Sequence, residues 1–116
     1  MEQTQKMNPE AKAKVIEALR SGNYTQGQSV LRDASNCFCV WGVICDVSEV
    51  SQWRRRRSGN FEYGDFAMGP STEVLGWTGA VFGEKVEING VLDNLMNHND
   101  NGATFAQLAD AIEAQL

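Results

Sequence analysis

The sequence predicts a small α+β domain, and three observations carry the prediction. Apolar residues at helical spacing, with capping signals beside them, mark both ends of the chain. A run of about ten residues that is apolar on every side lies near the middle, as expected of a buried element. Between these, short stretches that alternate aromatic and polar residues are punctuated by glycine and asparagine, the pattern of short strands and turns. With 116 residues the chain has the usual length of one domain and can bury a core without a metal or a disulfide. The expected architecture is an N-terminal helix, a buried central helix, a small antiparallel sheet and a C-terminal helical hairpin. Residues 1–7 are expected as a flexible N-terminus and residues 8–116 as one compact domain.

The N-terminal helix follows from Asn8-Pro9-Glu10. These supply a capping side chain, a proline where its missing N–H costs nothing, and an acid at the positive helix end. Ala11, Val15, Ala18 and Leu19 form its apolar stripe, and Ser21-Gly22 is its stop. Residues 23–36 are rich in turn formers around Val30 and Leu31, which suggest a short strand. The stretch "CFCVWGVICDV" reads as the buried helix across Phe38 to Val50, although its β-branched residues keep a strand open. Ser58-Gly59-Asn60 is a turn cluster, and "FEYGDF" from Phe61 reads as a short edge strand.

Gly69-Pro70 opens a brief helix, "STEVLGW", closed by Gly79. Val81 to Ile88, around Gly83-Glu84-Lys85, is a hairpin or a single strand. Val91, Leu92, Leu95 and Met96 at helical spacing predict a short helix, and "NHNDNG" predicts a polar turn with His98 at the surface. Thr104-Phe105-Ala106-Gln107 is a capping box that opens the last helix. That helix buries Phe105, Leu108, Ala109, Ile112 and Leu116.

Composition narrows the function. The formal net charge of −5 argues against a general nucleic-acid binder, because binding to phosphate polyanions is driven by positive charge. No apolar run approaches the roughly 20 residues that cross a bilayer, and the N-terminus lacks a signal-peptide core, so a cytoplasmic protein without membrane contact is expected. The three cysteines are an odd number in such a chain, so reduced thiols are the default.

Motifs that would carry enzymatic or cofactor chemistry fail on their details. Cys37, Cys39 and Cys45 lack the fourth ligand and the spacing of a structural zinc site, and free cysteine packs as a small hydrophobe. The "NHNDNG" segment lacks the acidic first ligand and the terminal glutamate of a calcium loop. Gly59-x4-Gly64 is followed by Asp65 rather than by Gly-Lys-Ser/Thr, so no phosphate loop is present. His98 has no evident nucleophile or orienting acid beside it. The sequence therefore implies no cofactor, no metal and no catalytic residue, and the expected protein is not an enzyme.

One feature stands out against the acidic background. Arg54, Arg55, Arg56 and Arg57 are adjacent, each able to bind a carboxylate or a phosphate bidentately. Trp53 precedes them, and Phe61 and Tyr63 follow. This segment is the candidate binding site, set against the plainer reading of a solvated loop.

Several segments resemble a family of small accessory proteins, without assigned function, encoded by tailed bacteriophages and prophages. They are "ALRSGNYTQGQSVLRD", the cysteine stretch with its later Cys-Asp, "GPSTEVLGWTG" and the end "LMNHNDNGATFAQLADAIEAQL". Phe38, Val40 and the arginine run depart from the family pattern. The resemblance implies a protein that acts in the cytoplasm of the infected host cell and binds a host component there. An anti-defence inhibitor acting on a host protein is the leading expectation. The alternative is an oligomeric sponge that holds a nucleotide signal, and a nucleic-acid binder ranks below both.

Overall fold

The structure is a computed structural model, and it describes residues 7–79 and 82–116. The chain folds as a compact α+β domain with a radius of gyration of 13.3 Å, the roughly 13 Å expected of one domain of about this length. Among the described residues, five helices and three short strand pairs follow one another in the order αββαββαββαα. Among the described residues no helix is long and apolar enough to cross a membrane.

Helix α1, Pro9–Arg20, starts where the sequence predicts, with the Asn8 side chain accepting from the Glu10 N–H. It buries Ala11, Val15 and Leu19 against α2, Val40–Ser48, and α5, Phe105–Gln115. Helix α5 has the full capping box, Thr104 with Gln107. Its predicted stripe, from Phe105 to Leu116, is buried throughout. Met7, expected in the flexible end, is instead buried, and its N–H donates to the Leu116 carbonyl at 3.0 Å. Met7 thus belongs to the packed domain, because a methionine beside the last turn of α5 gains more from burial than from freedom. The rest of the predicted flexible segment, residues 1–6, lies outside the described residues.

Helix α2 is the centre of the molecule, with Val40, Trp41, Val43, Ile44 and Cys45 all buried. It is shorter than the predicted helix. Cys37–Phe38 is strand β2, which pairs in parallel with β1, Thr25–Gln26. Cys39 then takes an extended conformation as the N-cap, its sulfur accepting from the Gly42 N–H at 3.4 Å. Gly42 is required for space. A Cβ there would lie 1.8 Å from the Leu31 carbonyl oxygen, so the chain from Val30 to Arg32 crosses α2 only because that position is bare. The strand expected near Val30 and Leu31 falls at β1 instead, while Leu31 itself is fully buried.

The second strand pair is the antiparallel hairpin of β3, Trp53–Arg55, and β4, Phe61–Tyr63. Helix α3, Thr72–Thr78, runs from the Ser71 cap to Gly79 as predicted. The third pair is β5, Lys85–Ile88, with β6, Val91–Asn94. Val91 and Leu92 belong to a strand rather than to a helix and are exposed. Asn89 and Gly90 both have positive φ, 53° and 81°, which is the Asn-Gly turn that matches the twist of a two-residue hairpin. The hairpin therefore lies one step downstream of the predicted one, whose first residue, Val81, is outside the described residues.

The predicted polar turn is helical as well. Helix α4, Leu95–Asp100, is capped by Asn94 and includes His98 and Asn99, both buried. His98, expected at the surface, has Nε2 2.8 Å from the Val86 carbonyl oxygen of β5. Asn99 ties three segments together: its Oδ1 accepts from Gln26 Nε2 and the Val40 N–H, and its Nδ2 donates to the Gly27 carbonyl. Buried polar groups are tolerated when so satisfied.

Candidate functional site

The arginine run is not a loose loop. Arg56 donates its N–H to the Asn60 carbonyl and accepts from the Gly59 N–H. Gly59 has φ +96°, the left-handed residue that closes a three-residue hairpin loop. The turn cluster read from the sequence thus folds the arginines onto β4, in the register Trp53 opposite Tyr63, Arg54 opposite Glu62 and Arg55 opposite Phe61.

Because side chains alternate along a strand, Arg54 and Arg56 take one face of this ribbon and Arg55 the other, while Arg57 lies in the turn. On one face Arg54 donates from Nε to Glu62 Oε2 at 3.0 Å, bonds the same oxygen through Nη2, and reaches Asp65 Oδ1 at 2.9 Å. Arg56 Nε lies 3.2 Å from Glu62 Oε1. The hydrogen bonds from Arg54, with the charges of Arg54 and Arg56, hold the Glu62 carboxyl below the usual carboxylate range. These two cations are neutralised within the hairpin.

The other face carries an aromatic cluster. Trp53 packs against Phe38, Phe61 and Tyr63, and Phe38 meets Tyr24 edge to face at 5.0 Å. Asp46 of α2 anchors the cluster, accepting from the Tyr24 hydroxyl at 2.5 Å and from Trp53 Nε1 at 2.9 Å. Burial and that carboxylate raise the Tyr24 phenol above its ordinary range. Arg55 sits with its guanidinium carbon 4.7 Å from the Phe61 ring centre.

An arginine from outside the run, Arg32, joins Arg55 on this face, and no local pattern in the sequence points to it. Arg32 bridges to Phe38 and to Phe61 through its backbone, and so links β2 to β4 across the sheet. Its guanidinium carbon lies 4.0 Å from the centre of Phe61, 5.2 Å from Phe38 and 5.3 Å from Trp53. Its Nε donates to Asn36 Oδ1 at 2.8 Å. Among the described residues Arg32, Arg55 and Arg57 make no ion pair. In the sequence Arg32 stands beside Asp33, which suggests mutual neutralisation. In the fold the Asp33 carboxylate instead accepts from the Ser35 and Cys37 N–H groups.

Of the seven residues predicted as the site, the structure brings Trp53, Arg55 and Phe61 together on the aromatic face. It turns Arg54 and Arg56 to the acidic one and leaves Arg57 at the exposed turn. Tyr63 packs on Trp53; it is buried at 2% exposure and its hydroxyl accepts from the Ser51 N–H, so its ring secures the hairpin from below.

The cysteine stretch differs in character. All three thiols are free; Cys39 and Cys45 are buried, while Cys37 is half-buried. Burial pushes the Cys39 thiol up to about 11, and the Cys45 thiol is raised further by burial and by its neighbours Cys39 and Asp46. Such thiols are poor nucleophiles at neutral pH. Among the described residues no group of three or more His, Cys, Asp or Glu is placed to hold a metal ion.

Fold and site together define a small α+β domain with a braced cationic hairpin on an acidic chain. The chain belongs to the family described as a domain of unknown function, DUF8296, whose model matches residues 7–116. No curated protein and no solved structure matches it significantly.

Proposed function

We propose that the protein is a non-enzymatic accessory protein of a tailed bacteriophage or prophage. In this reading it binds and inhibits a host component in the bacterial cytoplasm, as an anti-defence protein would, with the β3–β4 hairpin as its binding element. The observation that carries the reading is the uncompensated charge of Arg32, Arg55 and Arg57. In a chain of net charge −5, Arg55 and Arg57 on the hairpin and Arg32 bridged to its β4 strand stand without a carboxylate partner among the described residues. Gathering like charges is unfavourable unless an opposite charge meets them. Holding them on a hydrogen-bonded hairpin lowers the entropy lost on binding.

The nucleotide-sponge reading has one cleft in its favour, of about 310 Å³ beside β3 and lined by Gln52, Trp53, Arg54, Glu62 and Asp65. Two carboxylates face it, and its arginine is already paired, so phosphate binding there is disfavoured. The test is capture of host proteins by the tagged protein, compared with a variant in which Arg54, Arg55, Arg56 and Arg57 are all alanine. Loss of the captured partner and of the inhibitory phenotype, with a folded variant by circular dichroism, is expected. Retention of both overturns the reading.

A further inference from the structure

We infer that the recognition unit of the hairpin is the pair Arg32 and Arg55 on Phe61 together with the open edge of β3, and that it takes an extended, acidic segment of a protein partner. The inference rests on the hairpin being the partner-binding element, and it names the chemistry of that partner.

Two observations converge on it. The first is charge. Arg32 and Arg55 both lie within 5 Å of the Phe61 ring centre, so two cations share one aromatic ring, and among the described residues neither makes an ion pair. The Arg32 fork is fixed by stacking and by its Nε bond to Asn36, which leaves its terminal amino groups to bind an anion bidentately. The second is backbone. Phe61 donates its N–H away from β3, to the Arg32 carbonyl, so Phe61 and Arg55 form a pair whose backbone groups point outward from each other. Trp53, two residues before Arg55, points the same way. The outer side of β4 is covered by Arg32, and the outer side of β3 therefore presents N–H and C=O groups of Trp53 and Arg55 that have no backbone partner among the described residues. Such an edge accepts an extended peptide by strand addition.

Other occupants fit less well. A second copy would bring the same arginines against this edge, and like charges directly opposite repel. A single-stranded nucleic acid needs open aromatic faces for its bases. Here Phe61 already carries two guanidiniums and the Trp53 ring is packed against three others. An extended segment with alternating carboxylates satisfies both the edge and the charge.

The test uses the full chain and a fluorescein-labelled peptide of alternating Glu and Val, with a Gln/Val peptide, ATP and a single-stranded DNA decamer as comparisons. The Glu/Val peptide is expected to bind saturably and more tightly than the other three. Arg55→Gln and Arg32→Gln are expected to weaken it about tenfold each, while Arg20→Gln, an equal charge loss on α1, changes it about twofold or less. Arg32→Lys, which keeps the charge but not the fork, guards against misfolding of Arg32→Gln and is expected to lose several-fold affinity. On binding, the Trp53 and Arg55 amides are expected to gain protection from hydrogen exchange.

The proposal is overturned by tighter binding of ATP or DNA, by equal binding of the Gln peptide, by unchanged exchange at those two amides, or by Arg54→Gln weakening the peptide more than Arg55→Gln does. If it fails in any of these ways while the four-alanine variant still loses the captured host partner, the hairpin remains the binding element and only its proposed partner chemistry is wrong. If that variant keeps its partner, both readings fall.

Discussion

The cysteine stretch of α2 and the arginine hairpin that follows it hold the residue types of highest chemical potential in this chain, and the fold treats them in opposite ways. Helix α2 places Cys39 and Cys45 in the core, where burial raises both thiols away from the reactive thiolate. The hairpin places Arg55 and Arg57 in solvent, where charge is stable and available. The two are joined, since Asp46 of α2 holds the Trp53 indole of β3. A buried reactive group is here a packing choice, while an exposed and braced one without an ion pair among the described residues is a candidate for binding. The first region sets the position of the second.

The largest effect should come from breaking the packing that this arrangement depends on. Gly42→Ala drives a methyl group into the Leu31 carbonyl and is expected to cost about 3 kcal/mol or more, read from the urea midpoint. A folded variant of near wild-type stability would show that the chain crosses α2 differently.

The two buried cysteines separate next. Cys45→Ser puts a hydroxyl into an apolar site and is expected to cost about 1–3 kcal/mol. Cys39→Ser keeps an N-cap acceptor for the Gly42 N–H and should change stability by about 1 kcal/mol or less, so the thermal melts of the two variants should differ clearly. Thiol titration sharpens the same contrast without mutation. In the native protein at pH 8, Cys37 is expected to react quickly with a disulfide reagent and the other two only after denaturant is added.

The smallest effect concerns the paired face of the hairpin. Glu62 is held below its ordinary range by Arg54, so its contribution to stability is present above the unfolded-state value of 4.5 and is lost as pH falls through the lower folded value. Glu62→Gln should therefore flatten the fall in melting temperature in that acid window. An unchanged slope would mean that these ion pairs are too solvent-screened to matter.

Much of the helical part was legible because its signals are local. The Asn8-Pro9 start, the Thr104 capping box and the apolar stripes of α1 and α5 each lie within one or two turns of chain. The strand residues around Asn89-Gly90 were misread because Val91, Leu92, Leu95 and Met96 happen to fit helical spacing across a strand-to-helix junction. The Asn-Gly turn was the better signal. His98 and Asn99 looked like surface residues because a polar side chain in a polar segment gives no sign of partners such as Val86 or Gln26, which are distant in sequence. The candidate site was legible as a segment, Trp53 to Tyr63, but not as a geometry.

Composition and short-range pattern are enough for the class of the fold, the buried central element and the segment where positive charge gathers. Only the contacts across the fold separate the arginines that form ion pairs from those that form none among the described residues. The alternation of a strand sets which face each side chain takes, and Arg32 reaches that face only because Gly42 lets its segment cross α2. Contacts between residues distant in the chain cannot be read from local spacing, and in this protein those contacts separate the cations that brace the hairpin from the cations left to meet a partner.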